Sequence, residues 1–228
     1  MSTSNFADVN NLGHPSTTPA DRPLREGWLE RHRRYCARTS EGKVDLVFLG
    51  DSLTQRWETA PAVWQKYYGH RNAAQMGIDN DGTQQILWRI DHGTLDGAQP
   101  KLIVLLIGIN NIGNDDATPD QVRDGVAAIL ERIRKKLPRT KVLMLGLLPY
   151  DRPGTTYAAK IPPTNRLLAQ LANGKIVHFL DIGDKLLVDD KVSTMNQPDG
   201  AHLSEKGYAI YAEAIEPMVQ ELMKEPHE

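Results

Sequence analysis

Three polar residues of the chain, Ser52, Asp199 and His202, have the types and spacing that nucleophilic catalysis requires. A serine hydroxyl is a weak nucleophile at neutral pH, and it needs a base within hydrogen-bonding distance that a carboxylate orients. Asp199 precedes His202 by three residues, so its carboxylate can accept the Nδ1 proton of the imidazole and leave Nε2 facing Ser52. This set predicts acyl transfer through a serine nucleophile.

Each of these residues also has an ordinary structural interpretation. Ser52 follows a predicted strand and opens a predicted helix, a position at which serine often acts as an N-cap. His202 alone is typical of a surface or packed histidine, and Asp199 follows Pro198 in a sequence typical of a turn. Their joint occurrence with further polar strand ends favours the catalytic interpretation.

Polar residues follow three of the predicted strands. The strands end in Gly50-Asp51-Ser52-Leu53, in Gly77-Ile78-Asp79-Asn80-Asp81 and in Gly108-Ile109-Asn110-Asn111. Ligands of an open α/β sheet bind beyond the carboxyl ends of its strands. We therefore expect one site at this edge of the sheet.

Short apolar strands and amphipathic helices must position these residues. The sequence predicts strands at 44–50, 72–76, 101–108, 141–148 and 175–180, and helices at 21–38, 53–67, 83–92, 119–137, 163–172 and 204–223. The helix at 119–137 has the clearest start, because Thr118 and Gln121 form a capping box around Pro119. Alternation of this kind predicts an α/β fold with a parallel sheet covered on both faces.

The composition is that of an ordinary globular chain. With 228 residues, 40% of them apolar and 25% charged, we predict a flexible polar leader over residues 1–21 and a single domain over 22–228. The formal net charge of -2 provides no electrostatic footprint for nucleic acid. The single cysteine, Cys36, excludes an intramolecular disulfide and a cysteine-rich zinc site.

Membrane and metal signals are weak. No apolar segment approaches the roughly 20 residues that span a bilayer, and the leader lacks the apolar core of a secretory signal. We expect a cytoplasmic protein without stable membrane insertion, unless a signal sequence has been removed.

The run from Asp79 to Gly82 hints at a calcium loop, but Trp88 stands where a bidentate Glu is needed. We expect no metal and no other cofactor.

The order and spacing of four motifs resemble those of the SGNH/GDSL hydrolase superfamily: GDSL, a glycine-containing second motif, Gly-x-Asn and Asp-x-x-His. Within it the chain is most similar to the subgroup of platelet-activating-factor acetylhydrolase Ib catalytic subunits. The similarity rests on REGWLERHRRY, GDSLTQ, GTQQILWRI, IGINN, LGLLP and DGAHLSEKGY, and it covers residues 25–223.

This resemblance implies a fold and a set of roles. The fold is a flavodoxin-like three-layer α/β/α sandwich with about five parallel strands. Ser52 is then the nucleophile, His202 the general base and acid, and Asp199 the residue that orients it. The oxyanion hole is formed by the backbone N–H groups of Ser52 and Asn80 and by the side-chain amide of Asn110.

The chain departs from the family pattern at two positions. Asn80 replaces a glycine, although asparagine tolerates a positive φ well, and its bulk can narrow the pocket. Asn80 also fits a plain Asp-Asn-Asp-Gly turn. Asn111 replaces the commoner aspartate, and we expect it to act through hydrogen bonds rather than in catalysis. Gly77 matches the family's other small position, where we expect close backbone approach.

By the same resemblance Leu53, Ile109 and Ala201 flank a small apolar acyl pocket, and Asp51 supports it.

The implied function is a serine esterase that hydrolyses short, acetyl-type carboxylic esters through an acyl-enzyme on Ser52. A carbohydrate O-acetylesterase, a lysophospholipase or a thioesterase would use the same residues. A catalytically weak member that binds a partner is the alternative of another class. The expected partner is a small-molecule ester, and the resemblance is compatible with a homodimer.

Overall fold

A sheet of five parallel strands forms the centre of the computed structural model, which describes residues 12–150, 157–188, 191–192 and 199–224. The strands are β1 (Leu46–Gly50), β2 (Ala73–Gly77), β3 (Leu102–Leu106), β4 (Lys141–Leu145) and β5 (Val177–Leu180). Their order in the sheet is β2-β1-β3-β4-β5. A two-residue pair, β6 (Leu187–Val188) and β7 (Lys191–Val192), is antiparallel and separate from this sheet.

The register of the sheet brings the predicted site loops together. Every residue of β1 and β3 is buried, as expected of continuous apolar strands in a sheet covered on both faces. Gly50 at the end of β1 lies opposite Gly77 of β2 on one side and Leu106 of β3 on the other. The polar residues that follow these strands therefore emerge side by side at one edge.

Eight α-helices connect and cover the strands in the described chain. They are α1 (Trp28–Ser40), α2 (Ser52–Gln55), α3 (Pro61–Tyr68), α4 (Thr83–Asp91), α5 (Ile109–Asn114), α6 (Pro119–Lys136), α7 (Tyr157–Ala169) and α8 (Glu205–Lys224). Helix α6 packs against α4 and α7, whereas α3 packs against α8, which gives the α/β/α layers that the sequence predicts. Among these helices none is both long and apolar enough to cross a bilayer.

All of the predicted strands are present; β2 is shifted by one residue, the other four are shorter than predicted, and α4, α6 and α8 agree closely with their predictions. The predicted helix 21–38 is wrong at its start, because Gly27 adopts a left-handed φ of 71° and α1 begins at Trp28. The predicted helix 53–67 is wrong as one element. A 3-10 turn at Arg56–Thr59 separates α2 from α3, which restarts with Pro61 in its first turn.

Two helices differ from the sequence prediction for local reasons. Helix α5 was not predicted, because Asn and Gly are poor helix formers and its six residues are too few to display an apolar period. Helix α7 begins at Tyr157 rather than at residue 163, with Pro162 and Pro163 inside it. The sequence indicated a later start, because proline favours the first turn of a helix.

Part of the polar leader that the sequence analysis predicts over residues 1–21 packs against the described domain. A 3-10 turn at Pro15–Thr17 packs against α4 and α6, and Ser16 and Thr17 are each 1% exposed. Short polar side chains can be buried in this way when they find hydrogen-bond partners, which are the His14 backbone oxygen for Thr17 and Asn111 Nδ2 for Ser16. Residues 1–11 lie outside the described chain.

An aromatic cluster supports the turn that carries Ser52. Trp57 lies at its centre, with ring centroids 4.5 Å from Tyr208, 5.2 Å from Tyr211 and 5.5 Å from Tyr68. The hydroxyl of Tyr208 also donates a 2.7 Å hydrogen bond to the backbone oxygen of Leu53. Helix α8 thereby fixes the residue next to the predicted nucleophile.

Candidate active site

Ser52 lies where β1 turns sharply into α2. Asp51 caps this helix, since its Oδ1 accepts a 3.0 Å hydrogen bond from the Leu53 N–H. Gly77 allows β2 to approach the turn, because a Cβ at Gly77 would lie 2.1 Å from the Gln55 nitrogen and 2.5 Å from the Asp51 oxygen. The close backbone approach that the sequence predicted for Gly77 is thus present.

Asp199 holds the imidazole of His202 from the opposite side of the site. Its Oδ2 lies 2.6 Å from His202 Nδ1, and its Oδ1 accepts 3.0 Å hydrogen bonds from the backbone N–H groups of Ala201 and His202. Burial alone would raise the pKa of Asp199, but these hydrogen bonds outweigh it and lower the pKa to about 2. The carboxylate is therefore charged wherever the histidine can act as a base.

The structure brings the nucleophile and the base into contact. His202 Nε2 lies 2.9 Å from Ser52 Oγ, although the two residues are far apart in sequence. With Nδ1 directed at the carboxylate, Nε2 is the atom that can accept the serine proton. Ser52, His202 and Asp199 thus have the geometry of a serine nucleophile with an oriented base.

Asn110, in the first turn of α5, points its amide into the same site. Its Nδ2 donates a 2.9 Å hydrogen bond to the backbone oxygen of Asp81 and lies 3.5 Å from Asp51 Oδ2. A preorganised amide of this kind is the donor that stabilises a developing oxyanion. The arrangement is compatible with the role that the resemblance implies for Asn110.

Asn80 has the backbone conformation expected of the glycine it replaces, with a φ of 67°. With its amide oxygen turned towards the segment that precedes α1, that oxygen lies 2.7 Å from Arg22 Nη1 and 3.0 Å from Arg25 Nη1. The amide also lies 2.8 Å from the Asn114 side chain. Asparagine tolerates this left-handed region better than most residues, and its side chain contacts the residues at the mouth of the site.

Two buried carboxyl groups lie beneath the site. Burial raises the pKa of Asp51 to about 7, against the opposing effect of the Leu53 N–H, and the charge of Asp81 adds to the rise. Burial also raises the pKa of Asp81 to about 6, although Arg89 and Trp28 favour its charged form. Arg89 Nη1 lies 2.8 Å from Asp81, and both side chains are fully buried.

This Asp81 network fixes the loop after β2, and sequence reasoning did not identify it. Trp28 Nε1 donates a 2.7 Å hydrogen bond to Asp81 Oδ1, and Arg89 Nη2 donates one of 2.6 Å to the Met76 oxygen. Trp28 and Arg89 both lie in segments that carry the family resemblance, REGWLERHRRY and GTQQILWRI. Their pairing with Asp81 depends on tertiary contacts that spacing does not reveal.

A cleft of about 300 Å³ opens above Ser52. It is lined by most of the predicted site residues, namely Asp51, Ser52, Leu53, Asn80, Ile109, Asn110, Asp199, Ala201 and His202. Gly77 and Asn111 lie outside it. Asn111 is fully buried on α5, where its Oδ1 accepts from the Thr83 N–H at 2.9 Å and its Nδ2 donates to Gln84 at 2.7 Å. Asn111 therefore forms hydrogen bonds outside the cleft, and its role in the reaction stays a prediction.

The rim of the cleft contains residues to which the sequence analysis assigned no role in the site. Arg25 pairs with Asp79 on one side, beside Asn114. Tyr150 and Tyr157 line the other side, with ring centroids 5.1 Å apart. Tyr150 follows β4 closely and could have been found by its place after a strand, whereas Tyr157 starts a helix. Within the described chain, no group of three His, Cys, Asp or Glu side chains could hold a metal ion.

A family model described as the GDSL-like Lipase/Acylhydrolase family matches residues 48–210, a range that contains Ser52, Asp199 and His202. The chain belongs to this family. The GDSL-like resemblance seen in the sequence is thereby confirmed. The match spans most of the sheet and most of the residues that line the cleft, so the coarse activity that it supports is that of an acylhydrolase.

Relatives of this GDSL-like chain include platelet-activating factor acetylhydrolase IB subunits. Subunit alpha1 of Homo sapiens is 32% identical over 198 residues, which cover 86% of this chain and 84% of the relative. Subunit alpha2 of Rattus norvegicus is 31% identical over 206 residues, which cover 88% and 87% respectively. The subgroup named from the sequence is thus represented among the relatives.

Solved structures agree with the fold. A GDSL-like lipase of Bacteroides thetaiotaomicron superposes with a TM-score of 0.68 at 20% identity, over 83% of this chain and 97% of that one. A carbohydrate esterase family 3 protein of Talaromyces cellulolyticus gives 0.62 at 19% identity, over 79% and 98%. These likenesses confirm the three-layer α/β/α fold.

Proposed function

We propose that the protein is a serine esterase that hydrolyses short-chain, acetyl-type carboxylic esters. The observation that carries the proposal is the pair of hydrogen-bonding contacts that link Asp199 to His202 and His202 to Ser52 in the cleft. A serine in hydrogen-bonding contact with an oriented histidine is the arrangement that activates a hydroxyl for acyl transfer.

The first half of the reaction forms the acyl-enzyme. Ser52 Oγ bonds to the ester carbonyl carbon while its proton passes to His202 Nε2, and the carbonyl π electrons move onto oxygen. The N–H groups of Ser52 and Asn80 and the Asn110 amide stabilise that oxyanion. When it collapses, the bond to the alcohol oxygen breaks, and that oxygen takes the proton from Nε2.

The second half uses water in the same way. His202 removes a proton from water, and the hydroxide attacks the acyl carbon to form a second oxyanion. The bond to Ser52 Oγ then breaks, Oγ regains the proton from Nε2, and the carboxylic acid leaves. The low pKa of Asp199 keeps it charged throughout, so it stabilises the imidazolium that forms in each half.

The size of the cleft supports a short acyl group. About 300 Å³ is at the low end of the roughly 300–1,000 Å³ of ligand pockets, and Leu53, Ile109 and Ala201 provide apolar surface beside Ser52. We expect acetyl to be the best acyl group, with turnover falling as each methylene exceeds the available space.

The polar and aromatic rim favours one second candidate, a carbohydrate O-acetylesterase. Tyr150 and Tyr157 present ring surface, and Arg25, Asp79 and Asn114 present hydrogen-bonding groups opposite them. Sugars combine an apolar C–H face with hydroxyl groups, and such a rim matches both. In this candidate Tyr150→Leu raises KM for an acetylated methyl glycoside and leaves KM for ethyl acetate unchanged.

The test of the proposal is the initial hydrolysis rate for p-nitrophenyl esters of increasing acyl length, measured with wild type and with Ser52→Ala. The proposal predicts rapid turnover of the acetate, a steep fall with longer chains, no effect of a chelator, and no turnover above background in the variant. Equal activity in Ser52→Ala, or a preference for long acyl chains, would contradict it.

A further inference from the structure

Residues 14–20 form a segment that packs behind the site, on the side away from the cleft. Its 3-10 turn packs against α4 and α6, and the Ala20 N–H donates a 3.1 Å hydrogen bond to the backbone oxygen of Gln84. Ser16 and Thr17 are each 1% exposed. A segment of polar residues is buried in this way only when specific partners satisfy its hydrogen bonds.

Ser16 contacts two residues directly behind the site. The Thr83 hydroxyl donates a 2.8 Å hydrogen bond to the Ser16 backbone oxygen, and Asn111 Nδ2 lies 3.3 Å from Ser16 Oγ. Gly125 of α6 leaves the space for this contact, because a Cβ there would lie 2.6 Å from the Ser16 oxygen and 2.5 Å from Thr83 Oγ1.

Thr83 and Asn111 join the two elements that carry the proposed oxyanion asparagines. Thr83 starts α4 directly after the loop that holds Asn80, and Asn111 follows Asn110 in α5. The Thr83 N–H donates to Asn111 Oδ1 at 2.9 Å, and Asn111 Nδ2 donates to Thr83 Oγ1 at 3.0 Å. A shift of Thr83 relative to Asn111 therefore changes the distance between Asn80 and Asn110.

We propose that Ser16 is a positioning residue which, through Thr83 and Asn111, holds the Asn80 and Asn110 donors at the spacing that the oxyanion requires. The inference rests on the proposed function. Because Ser16, Thr83 and Asn111 are nearly or fully buried, their hydrogen bonds do not compete with water. Catalysis depends steeply on this spacing, since a displacement of about 1 Å can lower a rate about a hundredfold.

The test compares Ser16→Ala and Thr83→Val with the control Thr17→Val in the full chain. Thr17 is as buried as Ser16, but within the described residues its hydroxyl donates to the His14 oxygen of its own turn, at 3.1 Å, and not to the site. For p-nitrophenyl acetate we expect kcat to fall about threefold in Ser16→Ala and about tenfold in Thr83→Val, within the hundredfold that such displacements can cause. KM stays within about twofold in both, and the control retains the wild-type kcat.

A purely stabilising role of Ser16 predicts a different pattern. In that case the variants and the control lose unfolding free energy alike, and kcat per folded molecule is unchanged in all of them. Urea denaturation of each protein supplies the folded fraction. An unchanged kcat in Thr83→Val and Ser16→Ala, or an equal fall in Thr17→Val, would overturn the inference.

A phosphonate ester separates failure of this inference from failure of the proposed function. Ser52 Oγ bonds to its phosphorus while the bond from phosphorus to the ester oxygen breaks and the alcohol leaves; the phosphoryl oxygen occupies the oxyanion position, so labelling requires no hydrolysis of a carboxylic ester. If wild type hydrolyses no ester, the proposed function fails, and the labelling rate still reports on Ser16. The inference predicts slower labelling in Ser16→Ala than in Thr17→Val, whereas equal rates contradict it.

Discussion

Removing the side-chain amide of Asn110 should impair the chemical step far more than it impairs folding. In Asn110→Ala the oxyanion loses one preorganised donor, which typically costs about 2.7–4 kcal/mol of transition-state stabilisation, or about 10²–10³ in kcat. The fold loses one 2.9 Å hydrogen bond to the Asp81 oxygen, worth about 1 kcal/mol. The 3.5 Å approach to Asp51 is too long to add much.

The assay is steady-state hydrolysis of p-nitrophenyl acetate, combined with urea denaturation of each variant. Asn114→Ala is the matched control, because Asn114 lies on the same helix and lines the same cleft but binds Asn80 at its mouth. We expect kcat of Asn114→Ala to stay within about threefold of wild type, since this change removes no oxyanion donor.

Asn110→Asp sharpens the comparison. The substitution preserves the shape of the side chain but turns a donor towards the oxyanion into an acceptor, so its kcat should be no higher than that of Asn110→Ala. A fall in kcat of less than tenfold in Asn110→Ala would refute the assignment of Asn110 to the oxyanion hole. So would an equal fall in Asn114→Ala.

Gly77→Ala should lower the unfolding free energy by about 3 kcal/mol, at the upper end for overpacking, because its Cβ would lie 2.1 Å from a backbone nitrogen of α2. Gly69→Ala, whose Cβ would first meet the end of the flexible Gln65 side chain, is the control in urea denaturation, and equal losses would contradict this reasoning. Asp199→Asn should lower kcat at least about a thousandfold at every pH, since it removes the acceptor that fixes the His202 tautomer; a loss under tenfold in the pH profile would speak against it. Burial raises the pKa of Asp51 from 3.8 to about 7, so its contribution to stability is present at low pH and is lost as pH rises through that range. Between pH 4 and pH 8 this effect lowers the unfolding free energy of the wild type by at most about 4 kcal/mol, and Asp51→Asn should remove it. Chemical denaturation of both proteins at the two pH values measures the difference, and an equal difference in wild type and variant would refute the assignment.

The sheet and the central residues of the site could be predicted from the sequence because their signals are local. Continuous apolar runs mark β1 and β3, which are buried on both faces. Ser52 follows β1 directly, and the hydrogen bonds between Asp199 and His202 are made within one turn. Position after a strand and short spacing contain this information without any tertiary contact.

The remaining features depend on contacts between distant segments. The burial of Ser16 requires the oxygen and nitrogen atoms that Thr83 and Asn111 provide, and composition alone made its segment resemble a flexible leader. The pairing of Asp81 with Arg89 likewise links a loop to a helix interior. Polar residues of this kind have no periodicity, so only the assembled fold reveals whether they face solvent or each other.

The role of Ser52 as nucleophile is tested most directly by trapping the acyl-enzyme. The protein is mixed with p-nitrophenyl acetate, quenched in acid during turnover, and analysed by intact mass and peptide mapping. The account predicts the added mass of one acetyl group on the peptide that contains Ser52, and none in Ser52→Ala. An acetyl group on another residue, or turnover that persists in Ser52→Ala, would contradict it.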